Sequence, residues 1–476
     1  MPSPRITAKA ARMERTGVEA LIEEVRQRFG DKAAVIDQAD IEPWLTDWRG
    51  KFHGESQAIL SPASTEEVAE IVKLASEHRV PLVPQGGNTG MVGGAIPAAD
   101  GSELILSLRR LSRVRSIDAG IAVVEAGVIL SHLHDQAAQI GQRFPLTLGA
   151  RGSCTIGGLV STNAGGTQVL KFGTMRSLVL GLEAVLPDGS IHDGLSGLKK
   201  DNRGYNLDQL LAGAEGTLGI VTAAALRLVP AVTSRAVAWV GLDSPHQALG
   251  LLRFMQSRTD RVEGFEIVPA DALDLVLKHI PDTRNPLTGN HPWNVLIEST
   301  SEGPEDPSVL VQALLEKALE QGLIGDAALA ANDSQAEAFW RIRDSISEAE
   351  RTEGLSLAHD ISVPVAEMPR FMMTTAEEVE QAFPRTVASG FGHLGDGNVH
   401  FHVRGDGVRG HETEISRLVY DLVTLAGGSI SAEHGIGQLK LSELERLAPA
   451  AKLQTMRAIK RALDPQGLMN PGKLIR

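Results

Sequence analysis

The chain contains 476 residues, of which 42% are hydrophobic and 22% charged, and its formal net charge is −13. This length predicts two or three domains of ordinary globular composition, and the negative charge argues against nucleic-acid binding, which depends on clustered Lys and Arg. The single cysteine, Cys154, excludes an intrachain disulfide and a zinc site built from cysteines. No apolar run reaches the length of a transmembrane helix, and residues 1–16 lack the apolar segment of a secretory signal, so we expect a cytoplasmic protein.

The first half of the chain alternates short strands, helices and glycine-rich loops. Its clearest helix signal is at Ser64, which forms a capping-box pattern with Glu67 ahead of apolar residues at helical spacing between Val68 and Ala75. The β-type composition of three short apolar segments predicts strands at Val80–Pro84, Leu104–Leu108 and Ile121–Glu125.

The composition changes near Ala236, where glycine becomes rarer and longer strands and helices follow one another. This spacing is typical of an α+β layer with an open sheet. The predicted elements are strands at Val237–Leu242 and Val295–Ser299 and helices at His246–Gln256, Pro307–Gly322 and Glu412–Ala426. We therefore predict an N-terminal helical segment over 1–50, domains over 51–230 and 231–435, and a C-terminal segment over 436–476 that docks back on the first domain.

Three glycine-rich loops lie at residues 84–94, 149–158 and 213–222. Glycines expose backbone N–H groups and let the chain approach a pyrophosphate closely. None of the loops fits G-x-G-x-x-G, and the chain has no G-x-x-x-x-G-K-[ST], which disfavours a Rossmann NAD site and a P-loop. One such loop is weak evidence because turns and close packing also use glycine, but three together favour an extended anionic cofactor.

A dense group of imidazoles follows in the second half, where His393, His400 and His402 lie within ten residues. If Asn398–Val403 is a strand, His400 and His402 share one face of it. The turn at Gly395–Gly397 is then expected to fold His393 back beside them.

Glu433 and His434 add a carboxylate and a further imidazole downstream. Two imidazoles and a carboxylate that leave coordination positions open are typical of a catalytic metal site for Zn, Mn, Fe or Co. A lone histidine is more often a surface or core residue, so the density of the cluster carries this hypothesis.

The loops resemble the FAD-binding domain of the vanillyl-alcohol-oxidase type of flavoproteins. The runs Leu148–Gly166 and Lys199–Thr222, together with Asp47–Gly50, are similar to the D-2-hydroxyglutarate dehydrogenase and D-lactate dehydrogenase branch, and the likeness extends from about residue 40 to the C-terminus. The resemblance implies an α+β fold: a PCMH-type FAD-binding domain of two α+β subdomains over 51–230, and an α+β substrate (cap) domain with an open antiparallel sheet over 231–435.

The same resemblance implies which residues hold FAD, with the first loop at the pyrophosphate and the others along the ribityl chain and flavin ring. No histidine lies between Pro84 and Gly94, where members with covalent flavin often carry one, so we expect FAD bound without a covalent link. Asn470 matches a residue that reaches back toward the flavin, although a plain turn residue would look the same. The implied FAD-binding residues are Pro84, Gln85, Gly86, Gly87, Asn88, Thr89, Gly90, Met91, Leu148, Gly149, Gly152, Ser153, Thr155, Gly157, Gly158, Ser161, Asn163, Gly165, Glu215, Gly216, Gly219, Ile220, Val221 and Asn470.

For the chemistry, the resemblance makes His393, His400 and Glu433 the metal ligands, with zinc expected and Mn, Fe or Co as alternatives, and His434 the catalytic base. His402 falls where some relatives carry a different polar residue, and is expected to tune the substrate pocket or to support a ligand. A metal would lower the pKa of the substrate hydroxyl, His434 would remove its proton, and a hydride would pass to flavin N5.

A 2-hydroxy acid also needs a cationic group for its carboxylate, for which an Arg fork is suited. A helix predicted over Gln335–Glu353 carries Arg343 and Ser347 at i and i+4 on one flank. The resemblance assigns both to the substrate site, whereas the residues by themselves would fit a solvated helix face. Hydroxyglutarate dehydrogenases commonly carry a lysine where this chain has Ala358, so D-lactate or another D-2-hydroxy acid stays an alternative to D-2-hydroxyglutarate.

The expected electron acceptor is a protein such as an electron-transfer flavoprotein, or a quinone, and an oxidase that uses oxygen is the alternative within enzymes. A flavin-binding electron-transfer subunit without a substrate is disfavoured, because such a carrier needs neither metal nor base. A zinc-binding structural protein is the least favoured reading. Base rates for soluble enzymes predict a homodimer.

Overall fold

The computed structural model describes residues 4–118, 120–198 and 200–476, with side chains from residue 17 onward. Lys199, the first residue of one of the runs that carry the resemblance, lies outside the described residues. Contacts within the chain define two compact units: unit 1 holds residues 1–164, 174–230 and 434–476, and unit 2 holds residues 165–173 and 231–433. The segment over 436–476 groups with the glycine loops in unit 1, and the nine residues after Ala164 group with unit 2.

The first half of the chain is built from short elements. In chain order these are α1 (Pro4–Phe29), β1 (Ala34–Val35), α2 (Gln38–Ile41), β2 (Ile59–Leu60), α3 (Thr65–His78), β3 (Leu82–Gln85), β4 (Leu104–Ser107), β5 (Val114–Asp118), β6 (Ile121–Glu125), α4 (Leu130–Ala138), β7 (Gln142–Arg143), α5 (Ile156–Thr162), α6 (Val169–Phe172), α7 (Met175–Leu178), β8 (Val179–Val185), β9 (Ile191–Asp193), α8 (Leu207–Leu211), β10 (Ile220–Arg227) and β11 (Val229–Pro230).

The second half has longer elements. They are β12 (Ser234–Leu242), α9 (Pro245–Gln256), β13 (Val262–Pro269), α10 (Ala270–His279), β14 (Trp293–Ser301), α11 (Pro307–Glu320), β15 (Asp326–Leu329), α12 (Asp333–Asp344), α13 (Ile346–Thr352), β16 (Ser356–Ser362), α14 (Met368–Ala382), β17 (Val387–His393), β18 (Asn398–Arg404), α15 (Glu412–Leu425), α16 (Leu441–Leu447) and α17 (Ala450–Leu463). Short 3₁₀ helices lie at Asp31–Ala33, Glu42–Trp44 and Asp406–Val408.

Unit 1 contains two larger sheets, as expected for a pair of α+β subdomains, and a two-stranded sheet of β7 and β11. One has the order β1-β2-β4-β3, in which β2, β4 and β3 run parallel, and the other is antiparallel with the order β5-β6-β10-β8-β9. Helix α3 covers the first sheet: Ser64 caps its first turn through the N–H of Glu67, and its apolar face from Val68 to Ala75 lies in the core. The predicted helix start is therefore confirmed, while the Glu67 carboxylate accepts from the Ala63 N–H at 2.7 Å, one residue before the position that a capping box uses.

The glycine loops occur where unit 1 changes from one element to another. The first loop follows β3, the second precedes α5, and the third precedes β10. Loops that carry functional residues are commonly positioned by a rigid scaffold. Buried strands and helices hold the ends of these loops in the same way.

Unit 2 is built on one antiparallel sheet with the order β15-β12-β14-β13-β17-β18-β16. One face is covered by α10, α12 and α13, whose apolar side chains form a core with Trp239, Leu296 and Phe391 of the strands. The open antiparallel sheet and the α+β class are as predicted. Among the described residues, none of the helices combines the length and apolar composition that a membrane crossing requires.

One predicted element was wrong in a way that affects the site. The single helix expected over Gln335–Glu353 is two helices, α12 and α13, which meet at Ser345. The backbone ψ of Ser345 is −3°, away from the α-helical value, so the regular helix is interrupted there.

Candidate functional site

A group of charged side chains lies on the helix-covered face of the unit 2 sheet, where the inner strands β13 and β17 pair. Glu266 of β13 is directly opposite His393 of β17, so their side chains share a face. Glu266 accepts a hydrogen bond from His393 Nδ1 at 2.5 Å and another from Arg343 Nε at 2.7 Å. The Glu266 side chain is 1% exposed and that of Arg343 is 12% exposed, so this is a buried ion cluster.

Mutual charge, rather than burial, sets the protonation states in this cluster. Burial raises the pKa of Glu266, but Arg343 and His393 lower it more, and the net pKa is well below the usual range. Burial lowers the pKa of His393, but the Glu266 carboxylate outweighs it and the net pKa is raised. Glu266 is thus a fixed anion that orients both cationic groups.

His393 has the orientation that a metal ligand needs. Glu266 holds Nδ1, and a carboxylate behind an imidazole is the usual support of a metal-binding histidine. The other ring nitrogen, Nε2, lies 3.5 Å from Arg343 Nη2. Nε2 lies 4.0 Å from Glu433 Oε1. Burial raises the pKa of Glu433, and the positive charge of His393 opposes that rise.

His400 lies next to His393, with ring centroids 5.6 Å apart. Burial, with Arg343 and His393 nearby, lowers the pKa of His400 well below its usual value, which leaves its imidazole neutral, the form that binds metals. His393, His400 and Glu433 offer two imidazoles and a carboxylate, so by donor type these residues fit a divalent cation.

His402 is on the same strand face, one pair further along β18, and is held by a different carboxylate. Its Nδ1 is hydrogen-bonded to Glu350 of α13, whose side chain is 1% exposed. Arg404 continues the row and pairs with Asp271 of α10. His402 is thus buried among ionic neighbours, which fits its predicted supporting role as well as its predicted role toward substrate.

The break at Ser345 changes the expected relation of Arg343 and Ser347. The two residues are not on one helix flank: Arg343 ends α12 and points into the buried cluster, while Ser347 is in α13 and exposed. Ala358, opposite His402 on β16, is exposed. His359 points to the other face, where it hydrogen-bonds to the Phe401 carbonyl and Ser416 Oγ, so it does not substitute for the absent lysine.

The first and second glycine loops of unit 1 pack against each other. A Cβ on Gly86 would lie 2.2 Å from Thr155 Oγ1, and one on Gly87 would lie 1.9 Å from the Ser153 carbonyl oxygen. Such distances exclude any side chain, so these two glycines are required for the loops to meet. The third loop joins them, since a Cβ on Gly216 would lie 3.0 Å from Pro84 Cγ.

Other glycines in the loops face open space. A Cβ on Gly90, Gly149 or Gly152 would have no heavy atom within 4 Å. Nearby in the same unit, Thr155 Oγ1 and Asn470 Oδ1 are buried without a hydrogen-bond partner among the described residues. Open glycine backbone together with buried, unpaired polar atoms is what a bound dinucleotide would complete, so the loops fit FAD.

Asn470 and Glu215 join the C-terminal segment to these loops. Asn470 Nδ2 donates to the carbonyl oxygens of Gly94 at 2.9 Å and Glu215 at 2.7 Å. The Glu215 carboxylate accepts from the backbone N–H groups of Ile436 and Gly437, just after His434. Each of these contacts lies within unit 1.

Sequence reasoning missed the carboxylates that support the imidazoles. Glu266 and Glu350 are far from the histidine cluster along the chain, and so is Asp360, which accepts from the Glu433 N–H at 3.0 Å. A signal existed at Glu266, because a carboxylate within the apolar run of β13 requires a buried partner. The sequence did not indicate that His393 and Arg343 are the partners of Glu266.

Two family models match the chain. One, described as FAD linked oxidases, C-terminal domain, matches residues 232–474, and the other, described as FAD binding domain, matches residues 56–194.

Relatives match along nearly the whole chain. A mitochondrial D-2-hydroxyglutarate dehydrogenase of Arabidopsis thaliana is 37% identical over 457 residues, covering 94% of this chain and 80% of the relative. A D-2-hydroxyglutarate dehydrogenase of Xanthomonas citri pv. viticola is 36% identical over 92% of this chain and 93% of the relative. A putative mitochondrial D-lactate dehydrogenase of Schizosaccharomyces pombe is 34% identical over 92% and 85% of the two chains.

Solved structures share the fold at lower identity. Substrate-bound p-cresol methylhydroxylase superposes with a TM-score of 0.73 at 15% identity, covering 97% of both chains. The 4-ethylphenol oxidase of Gulosibacter chungangensis superposes with a TM-score of 0.69 at 20% identity and the same coverage. At these identities the comparison supports the fold and carries no argument about function.

Proposed function

This chain belongs to the FAD-linked oxidases and is an FAD-dependent oxidoreductase, and on that basis we propose that it oxidises a small D-2-hydroxy acid to the 2-keto acid. The preferred substrate we infer is D-2-hydroxyglutarate, which gives 2-oxoglutarate, because the relatives named for it match over most of the chain. One observation carries the proposal: a buried Arg343 fork shares the Glu266 carboxylate with His393, in a strand cluster of metal-type donors.

The roles of the residues follow from this arrangement. Glu266 accepts from Arg343 Nε and so orients the guanidinium, whose Nη atoms, one of them 3.5 Å from His393 Nε2, would donate to a substrate carboxylate. His434 takes the hydroxyl proton at a ring nitrogen. His393, His400 and Glu433 hold a divalent cation, zinc first and Mn, Fe or Co as alternatives, which would supply Lewis acidity at the hydroxyl. FAD, bound by the glycine loops without a covalent link, supplies the two-electron acceptor that side chains lack.

A second candidate substrate is D-lactate, favoured by Ala358. An alanine at this exposed strand position offers no charge to a second carboxylate, and a putative D-lactate dehydrogenase is among the relatives. Ala358→Lys separates the two substrates. The variant should lower the KM for D-2-hydroxyglutarate by about tenfold, the effect of about 1.4 kcal/mol from one charge-assisted contact, and leave the KM for D-lactate unchanged.

The electron acceptor, the oligomeric state and the cellular location are proposals of the same kind. We infer electron transfer to an electron-transfer flavoprotein or a quinone, with oxygen as the alternative acceptor, and a homodimer. The predicted cytoplasmic location is untested, and the plant and fission-yeast relatives are named mitochondrial. Turnover assays with each acceptor and size-exclusion chromatography with light scattering test the first two.

The decisive experiment is an anaerobic absorbance titration of the purified, FAD-loaded protein. D-2-Hydroxyglutarate and D-lactate are added in turn, with the L-enantiomers as controls, before and after EDTA. Bleaching of the flavin band by a D-acid only, lost with EDTA and restored by zinc or manganese, supports substrate class and metal together. Flavin that no D-2-hydroxy acid bleaches would refute the substrate proposal and leave the flavin fold in place.

A further inference from the structure

Glu215 has a backbone conformation that its residue type does not favour. Its φ is 51°, in the left-handed region, and it stands between Gly213 and Gly216, whose φ values are 81° and 72°. Left-handed backbone costs free energy for any residue with a Cβ, and glycine is the usual choice. Conformational preference therefore does not explain a glutamate here, and its side chain is the feature to account for.

The carboxylate of Glu215 binds the loop that follows His434. Its Oε1 accepts from the Ile436 N–H at 2.7 Å and its Oε2 accepts from the Gly437 N–H at 2.8 Å. A Cβ on Gly435 would lie 2.8 Å from Glu215 Oε1, so the loop passes directly over the carboxylate. Both oxygens of a side chain that is 9% exposed are thus committed to the backbone next to His434.

The backbone of Glu215 links the same loop to the other glycine loops. Its N–H donates to the Ser161 carbonyl in α5, the helix after the second loop, at 2.8 Å, and its carbonyl accepts from Asn470 Nδ2. Asn470 also reaches Gly94 of the first loop. Glu215 therefore joins α5 and, through Asn470, the first loop to the loop that follows His434. Gln438 makes a separate link between that loop and the first one, because its N–H donates to the Val92 carbonyl at 2.9 Å.

We propose that Glu215 is a positioning residue for His434: its carboxylate fixes the backbone of residues 435–437 and so the direction from which the His434 ring reaches the substrate hydroxyl. This inference rests on the proposed function, in which His434 takes the hydroxyl proton. Proton transfer requires heavy atoms within hydrogen-bond distance, and a displacement of about 1 Å costs on the order of a hundredfold in rate. A loop tied by two hydrogen bonds to a buried carboxyl group meets that requirement.

The test is Glu215→Gln, which keeps the side-chain shape but turns one acceptor oxygen into an NH₂ that faces a peptide N–H. We expect kcat per bound flavin to fall about 10- to 100-fold, with KM within about threefold because Arg343 is untouched. Bound flavin is measured by absorbance in each variant, because Glu215 is among the residues expected to hold FAD. Hydrogen exchange of peptides covering residues 433–440 should speed up by on the order of tenfold. Exchange in β13 of unit 2 should stay the same.

Two further variants keep the test decisive. Glu125→Gln is the matched control: Glu125 is a buried carboxylate of the same unit that accepts from Arg113, and its loss should lower thermal stability without changing kcat at saturating FAD. Glu215→Asp keeps the charge on a shorter side chain, so it should fold if the glutamine variant does not, and its kcat should lie between those of the wild type and Glu215→Gln.

The outcomes separate this inference from the proposed function. A wild type that no D-2-hydroxy acid reduces refutes the proposed function, and the exchange data then still decide whether Glu215 holds the loop. An active wild type with kcat unchanged in Glu215→Gln overturns the positioning role only. Unchanged exchange of residues 433–440 overturns it as well, because the carboxylate then does not hold that backbone.

Discussion

The glycine loops of unit 1 and the ionic strand face of unit 2 are built to bind ligands in opposite ways. The loops offer backbone, and Gly86 and Gly87 are present because a side chain would have no room. The strand face offers charged side chains, and Glu266 and Glu350 are present because buried imidazoles and guanidinium groups need anions. The glycine loops depend on the absence of side chains, and the strand face depends on paired charges.

This difference predicts opposite sensitivities to mutation. In the first and second loops, adding a methyl group should be harmful where the chain is crowded. On the strand face, a change that conserves shape but removes charge should be harmful, because it leaves a buried partner unpaired. The predictions below test each half of that contrast.

The largest effect is expected on the strand face, at Arg343. Arg343→Ala should lower kcat/KM for the D-2-hydroxy acid by about 10³, since losing a buried charge-assisted contact costs about 3–5 kcal/mol. Arg343→Lys should recover only part of this, because a point charge cannot replace the planar fork. Steady-state kinetics on flavin-loaded protein measure both. Arg341→Ala, an exposed change on the same helix, is the control, and an equal loss there would contradict the assignment.

The next effect belongs to the loops. Gly87→Ala places a methyl group 1.9 Å from the Ser153 carbonyl, so the first and second loops must separate. Overpacking of this kind costs about 1–3 kcal/mol, and FAD affinity should fall by about 10- to 100-fold. Flavin fluorescence titration of the apoprotein measures it. Gly250→Ala, in helix α9 with open space around it, should bind FAD as the wild type does; a similar loss there would point to general destabilisation.

The sequence predicted the features that leave a pattern in neighbouring residues and missed those that depend on residues far apart in the chain. The strands and helices and the shared face of His400 and His402 depend on local periodicity, and local periodicity was sufficient. The antiparallel cap sheet was implied by the family resemblance. The helix break at Ser345 was not predicted, because apolar spacing continues through it from Phe339 to Ala349 and the break lies in one ψ angle.

The partners of the site residues were beyond local reasoning. Glu266 is 127 residues from His393, and Glu350 is 52 residues from His402. Such pairs are brought together by strand order and by helix packing on the sheet, neither of which leaves a mark in the spacing of the residues involved. The role of Glu215 was hidden for the same reason, since its loop partners at Ile436 and Gly437 lie in the C-terminal segment.

A more moderate effect, on metal affinity, is expected from one of two buried glutamates on β13. Glu266→Gln keeps the shape behind His393 but removes the anion, and loss of such a supporting carboxylate typically lowers metal affinity 10- to 100-fold. Competition titration with a zinc chelator measures the affinity directly, without relying on turnover. Glu263→Gln is the matched control, since Glu263 is equally buried on β13 but pairs with Lys171. Equal loss in both variants would contradict a specific role for Glu266.

The smallest expected effect concerns Cys154, which lies in the second glycine loop and is the one cysteine of the chain. Its side chain is buried, and burial raises the pKa of the thiol to about 11. At pH 8 only about a thousandth of the thiol is then thiolate, the reactive form, against roughly a quarter for an ordinary thiol. DTNB should therefore react at least 100-fold more slowly with the native protein than with the guanidinium-unfolded chain, and the native rate should rise about tenfold per pH unit from 8 to 10. Because the signal comes from a single residue, fast native labelling at pH 8 would mean that the second loop opens readily, and the crowding argued from Gly86 and Gly87 would not hold.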